Sequence, residues 1–186
     1  MQEAASIRWE VRPPYPPDGK WRIPVREFAP RNVHITPGVG TPTLVQFFVD
    51  DATWIASFPQ GGGLAEVSRL GDSTWVLVVG EQGFAIDVSS PDDWEEVDVW
   101  PVEEECAVEG TQQRLVWDWI SIASVGPGGV TWCSERLCLD DLEIIRVSED
   151  RIICRGTFRA SEETEEFVLD AASGRQISGL RFEDFG

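Results

Sequence analysis

Apolar and polar side chains alternate along most of this chain, over short stretches separated by turn-forming residues, which is the pattern of half-buried β-strands. Segments 44–49 and 53–58 flank Asp50-Asp51, and 75–79 and 84–88 flank Gly80-Glu81-Gln82-Gly83. Segments 115–125 and 130–133 flank Gly126-Pro127-Gly128-Gly129, and 142–147 and 151–158 flank Ser148-Glu149-Asp150. Further strands are expected at 97–102, 167–170 and 176–180. Helix is confined to fragments at 64–70 or 91–96, where Asp92 and Asp93 after Pro91 would suit a helical first turn. Segment 75–79 is apolar throughout, so it should be a central strand covered on both faces. In 151–159 one face carries Ile152, Cys154, Gly156 and Phe158, while the other presents Arg151, Arg155 and Arg159 toward the carboxylates of Glu162, Glu163, Glu165 and Glu166.

Connections this short suit antiparallel neighbours. The expected fold is therefore all-β: an antiparallel meander of hairpins forming a β-sandwich or curled sheet, with a small propeller-like repeat as the alternative. Residues 1–42 read differently. Eight of the twelve prolines fall there, so an extended arm packing on the body is expected, ahead of a single β domain over 43–186. Within the arm, Ile7, Trp9 and Val11, and then Trp21, Ile23 and Val25, alternate with polar residues and predict two short strands. The run Arg12-Pro13-Pro14-Tyr15-Pro16-Pro17 could instead serve as a Pro-rich docking peptide.

A hairpin followed by a turn recurs near 44–63, 75–97, 114–135 and 151–180. Two copies share a detail: residues 84–90 and 167–174 each run from an apolar strand into Asp (Asp87, Asp170) followed by small residues. The second copy, Asp170-Ala171-Ala172-Ser173-Gly174, resembles the strand-Asp-x-x-Ser/Thr-Gly turn of PQQ-type propeller repeats. That resemblance implies an Asp side chain capping the turn by accepting from its backbone. It is confined to 167–174, and the regular tryptophans of that family are not found at matching places.

Charge sharpens this picture. The chain of 186 residues carries 15 Lys+Arg against 33 Asp+Glu, a formal net charge of −18. The first forty residues hold six of the cations (Arg8, Arg12, Lys20, Arg22, Arg26, Arg31), whereas no cation lies between Arg69 and Arg114. Such a field repels nucleic acid and anionic membranes and attracts a basic partner, although it also serves plain solubility. Nine Trp and nine Phe exclude a disordered acidic tail. No apolar run reaches membrane-spanning length and no secretory leader is visible at Met1–Glu10, so a cytoplasmic location is expected.

Candidate chemistry is sparse. Glycine-rich phosphate cradles and hydrolase elbows are absent. The single histidine, His34, lies in the arm with no nucleophile beside it in sequence. Cys106, Cys133, Cys138 and Cys154 lack the tight paired spacing of a zinc site and are expected as free thiols, with a disulfide next and zinc last. No cofactor or metal is expected. Asp118, between Trp117 and Trp119, is the carboxylate most apt to be buried; its pKa should rise there unless it accepts hydrogen bonds. The densest surface candidate is the partner-binding set Asp92, Asp93, Trp94, Glu95, Glu96, Asp98, Trp100, Glu103, Glu104 and Glu105, with Trp94 and Trp100 as aromatic anchors. These features favour a non-catalytic module binding a basic protein, as an inhibitor or immunity factor does. A carbohydrate or small-ligand binder using exposed Trp, and an enzyme centred on a buried carboxylate such as Asp118, are the alternatives.

Overall fold

The computed structural model describes residues 6–12, 22–28, 42–58, 66–158 and 164–182. His34, the run Pro13–Pro17 and Glu162–Glu163 lie outside them. The described chain is all-β, in four sheets of four strands. The first sheet holds β1 (Ile7–Arg12), β2 (Val25–Glu27), β3 (Thr43–Val49) and β4 (Ala52–Phe58) in the order β1-β3-β4-β2. The second is the meander β5 (Glu66–Arg69), β6 (Trp75–Val79), β7 (Gly83–Asp87) and β8 (Trp94–Val97). The third is β9 (Glu104–Ala107), β10 (Arg114–Trp117), β11 (Ile122–Gly126) and β12 (Gly129–Cys133). The fourth is β13 (Asp140–Val147), β14 (Arg151–Thr157), β15 (Thr164–Asp170) and β16 (Gln176–Ser178). The four recurring hairpins of the sequence are thus the centres of four successive sheets.

Strand alternation explains how the sheets stack. In β6, Val76 and Val78 enter one core cluster with the first sheet, while Leu77 enters another with the third. In β10, Val116 faces the second sheet, and Leu115 and Trp117 face the fourth. Three apolar interfaces therefore join the sheets in a row, and among the described residues no core cluster joins the fourth sheet to the first. The first interface is aromatic: Phe28, Phe47, Trp54, Phe58, Phe84 and Trp94 form a ring-contact network with centroids 4.9–6.4 Å apart. Each such side chain contributes about 1.5–3 kcal/mol through burial. Polar clips fasten two of the interfaces. Trp54 Nε1 donates to the Val88 carbonyl at 3.1 Å, and Trp132 Nε1 to the Ala171 carbonyl at 3.0 Å.

Several expectations need correction. The described strand pairings are antiparallel, as expected for the hairpins of the body, except that β2 of the amino-terminal segment runs parallel to β4. The helix fragments at 64–70 and 91–96 give way to β5 and β8, because both segments complete sheet edges beside β6 and β7. Segment 97–102 is not a strand. Val99 N donates back to the Val97 carbonyl at 2.9 Å in a tight turn, and Pro101, joined to Trp100 by a cis bond, offers no ladder donor. Segment 115–125 is not one strand but two, β10 and β11, folded back at Asp118.

On the arginine face of β14 one expected pair forms, Arg155 with Glu166, whereas Arg151 pairs with Asp150 and Arg159 lies outside the described residues. Arg155 reaches Glu166 and Glu143 at 3.3 and 3.6 Å, and Arg151 reaches Asp150 at 3.4 Å, while Ile152 and Cys154 point into the core.

A candidate acidic groove

The predicted acidic set does not form one surface, and the alternation of β8 is the reason. Trp94 and Glu96 point toward the first sheet, opposite Ile86 and Phe84. Glu95 and Val97 point toward the third. Trp94 consequently packs against the first interface, with its ring 5.5 Å from Phe28 and 6.0 Å from Phe84, and is no surface anchor. Glu96 is half-buried on the same side. Glu95 accepts from Val130 N in β12 at 2.7 Å and so ties the second sheet to the third.

The flanking carboxylates are also engaged. Asp92 is paired with Arg26 from β2, an arginine of the amino-terminal forty residues. Asp93 accepts from the Ser90 hydroxyl at 2.8 Å within its own turn. Glu105 is half-buried. Its two oxygens accept a fork from Arg114 at 2.6 and 2.8 Å, and Ser68 of β5 donates to it at 3.0 Å. The ion pair joins β9 to β10 within the third sheet and the Ser68 bond ties it to the second, so its role is chiefly architectural.

What the fold does bring together is a groove of about 490 Å³ at the junction of those two sheets. Glu66 at the start of β5, Glu81 in the β6–β7 turn, and Glu103, Glu104 and Glu105 at the start of β9 line it, with Val79, Gly80 and Val102 as floor. Val102 N donates to the Glu81 carbonyl at 2.9 Å, which fixes the two acidic walls relative to each other. Among the described residues no lysine or arginine lines the groove. Glu103, Glu104 and Glu105 were in the predicted set, and Glu81 lay in the acidic span. Glu66 was missed, because a helical reading of 64–70 hides that β5 sets Glu66 opposite Val79. Asp98 and Trp100 are exposed outside the groove's lining, Trp100 at 45 % of its area.

Asp118 is buried, at 6 % exposure, and fully employed. It accepts from Ile120 N at 2.7 Å, Ser121 N at 2.6 Å, Ser121 Oγ at 2.9 Å and Trp100 N at 3.3 Å. This carboxylate caps the turn between β10 and β11. The turn resembling the PQQ-type repeat is built the same way: Asp170 Oδ1 accepts from Ser173 N at 2.9 Å and from its hydroxyl at 2.6 Å. Asp87 does likewise with Ser89, at 2.9 and 2.7 Å. Burial alone would push the Asp87 carboxyl up, but donors from Ser89, Thr74 and Ser90 outweigh it and hold it below the ordinary 3.8. All four cysteines are free thiols, with Cys138 and Cys154 buried. Among the described residues no group of His, Cys, Asp and Glu is arranged to hold a metal ion. Nor is any helix long and apolar enough to cross a membrane.

No family model and no curated protein matches the chain. The chain is similar to the crystal structure of the tricorn protease at 17 % identity and a TM-score of 0.37. The matched region covers 80 % of this chain and 15 % of that one, so the chain spans a small fraction of that protein's length.

Proposed function

We propose that the chain is a non-catalytic interaction module that binds a basic protein through the groove between the second and third sheets, as an inhibitor or immunity factor binds its target. One observation carries this reading: five glutamates line one concave site with no cation among its described lining residues. Glu66, Glu81, Glu103 and Glu104 are exposed along the groove and supply the recognition, beside the Arg114-bound Glu105. A lysine or arginine entering there meets several carboxylates at once and is steered by the surrounding negative field. The same field disfavours nucleic acid and anionic membranes as partners. Four free thiols suit a cytoplasmic setting.

A short oligolysine peptide serves as the probe. Its affinity should fall steeply as salt rises from about 20 to 200 mM, because exposed charges are screened. Converting Glu66, Glu81, Glu103 and Glu104 to Gln should weaken binding about tenfold or more. Converting Asp51, Asp72, Glu109 and Glu149, exposed residues outside that groove, to their amides changes net charge equally and should cost far less. Equal losses in the two variants would show a diffuse field without a site, and would overturn the reading.

Carbohydrate binding is supported by a different observation. Trp100 and Trp119 are 45 % and 53 % exposed, and both are anchored at Asp118, one through its N–H and the other by adjacency in the chain. Sugar binding that ignores salt and is lost in Trp100→Ala and Trp119→Ala variants would favour it.

A further inference from the structure

A local exception to the negative charge of the molecule is a cavity of about 420 Å³ where the end of the third sheet meets the end of the fourth. Arg136, Arg175 and Arg181 line it, together with Ser134, Ser173 and one carboxylate, Glu135. In a chain with 33 carboxylates for 15 lysines and arginines, cations should readily find acidic partners. Those on β14 do. Arg136 and Arg175 make no ion pair with any carboxylate among the described residues, and Glu135 forms none with them.

Arg136 is held in place without being neutralised. Its Nε donates to the Cys138 carbonyl at 2.9 Å, and its Nη2 to the Leu139 carbonyl at 2.8 Å. Its guanidinium lies over the Phe182 ring, 4.5 Å from the centroid. These contacts orient the guanidinium and leave Nη1 unused by them. Ser134 Oγ accepts from Ile122 N at 3.0 Å, so its proton remains available to an acceptor in the cavity. Ser173 differs, since its hydroxyl is committed to Asp170. Positive φ at Gly174 (68°) turns the backbone so that Arg175 follows directly on that capped turn.

We propose that this cavity is a binding site for a small dianionic phosphoryl group, gripped by Arg136 and Arg175 with a hydrogen bond from Ser134. The fork of Arg175 together with Nη1 of Arg136 matches a tetrahedral dianion better than a single carboxylate. The molecule's net charge repels a polyanion over long range, which selects a compact ligand held by local donors. The phosphoryl group is available either as free phosphate or as the head of a phosphate monoester, and both present the same oxygens to the arginines. This site is separate from the glutamate groove and does not depend on it.

Calorimetry on the full chain at pH 7.5, with inorganic phosphate and with phenyl phosphate, tests the proposal against sodium chloride of matched ionic strength. Binding with a Kd of about 1 mM or tighter is expected for at least one of the two. Tighter binding of phenyl phosphate would identify the esterified source, and tighter binding of inorganic phosphate the free ion. Arg175→Gln should weaken binding about tenfold or more, and Arg175→Lys should fall between that variant and the natural chain. Arg155→Gln, an equal change of charge on the outer face of β14, should leave binding within about twofold. Arg175 is exposed and its guanidinium carries no structural bond among the described residues, so the variant's fold can be verified by circular dichroism. Absence of a response beyond that of chloride, or an R175Q chain binding as tightly as the natural one, would overturn the proposal.

Discussion

Asp118 shows how one side chain decides a stretch of fold. Between two tryptophans in an apolar run it reads as a polar intruder in a long strand, yet its oxygens serve three N–H groups and a hydroxyl and make the reversal possible. Removing them leaves several donors in a half-buried turn to find water, at about 1–3 kcal/mol. Asp118→Ala should lose about that much in urea unfolding, and Asp118→Asn, which keeps one acceptor oxygen, should lose less. The buried thiols make a second prediction at this scale. Burial pushes Cys138 and Cys154 up to about 12 from 9.0, so both stay protonated in the folded chain. A folded-state pKa above the unfolded one gives stability that is present below about pH 9 and is lost as pH rises toward 12. Alkaline titration should therefore unfold the chain over that window. A thiol reagent at neutral pH should reach exposed Cys133 well before Cys138 or Cys154.

At the scale of elements, legibility tracked how local the deciding interaction is. Segments 44–49, 75–79 and 151–158 alternate or are apolar throughout, flank clear turn residues, and fold within a residue or two of the expected bounds. Segments 97–102 and 115–125 are equally apolar, but a proline in one and a capping carboxylate in the other break them, and periodicity records neither. The parallel pairing of β2 with β4 depends on where the amino-terminal segment lies against the body, which no local pattern encodes. The groove was half legible for a related reason. Its β9 wall is a visible run of glutamates, whereas Glu66 arrives through strand pairing across the β5–β6 turn. Turn geometry makes its own prediction. A Cβ on Gly174 would come within 2.3 Å of the Trp132 ring, at a φ of 68° that side chains rarely adopt. Gly174→Ala should then cost about 1–3 kcal/mol by urea unfolding. Gly80→Ala, with nothing within 4 Å and no positive φ, should stay within about 0.5 kcal/mol of the natural chain.

For the molecule as a whole, two electrostatic effects compete, and their balance is measurable. Local ion pairs such as Arg114–Glu105 and Arg26–Asp92 favour the folded state and are weakened by salt. Against them stands the mutual repulsion of a chain whose net charge is −18, concentrated by folding into a compact row of sheets. Exposed pairs are worth about 0–1 kcal/mol each, and the Arg114–Glu105 fork, with side chains only 23 % and 10 % exposed, is little open to screening. The long-range repulsion among exposed carboxylates is the part that mobile ions reach most easily. Added salt should consequently raise the melting temperature between about 20 and 200 mM sodium chloride, where the screening length becomes shorter than the molecule. Calorimetric scans across that range decide the matter: a falling melting temperature would mean that the pairs outweigh the field. The same range of salt is expected to loosen oligolysine from the groove. Opposite responses of stability and binding to one variable would then separate the charge the fold merely tolerates from the charge the groove uses.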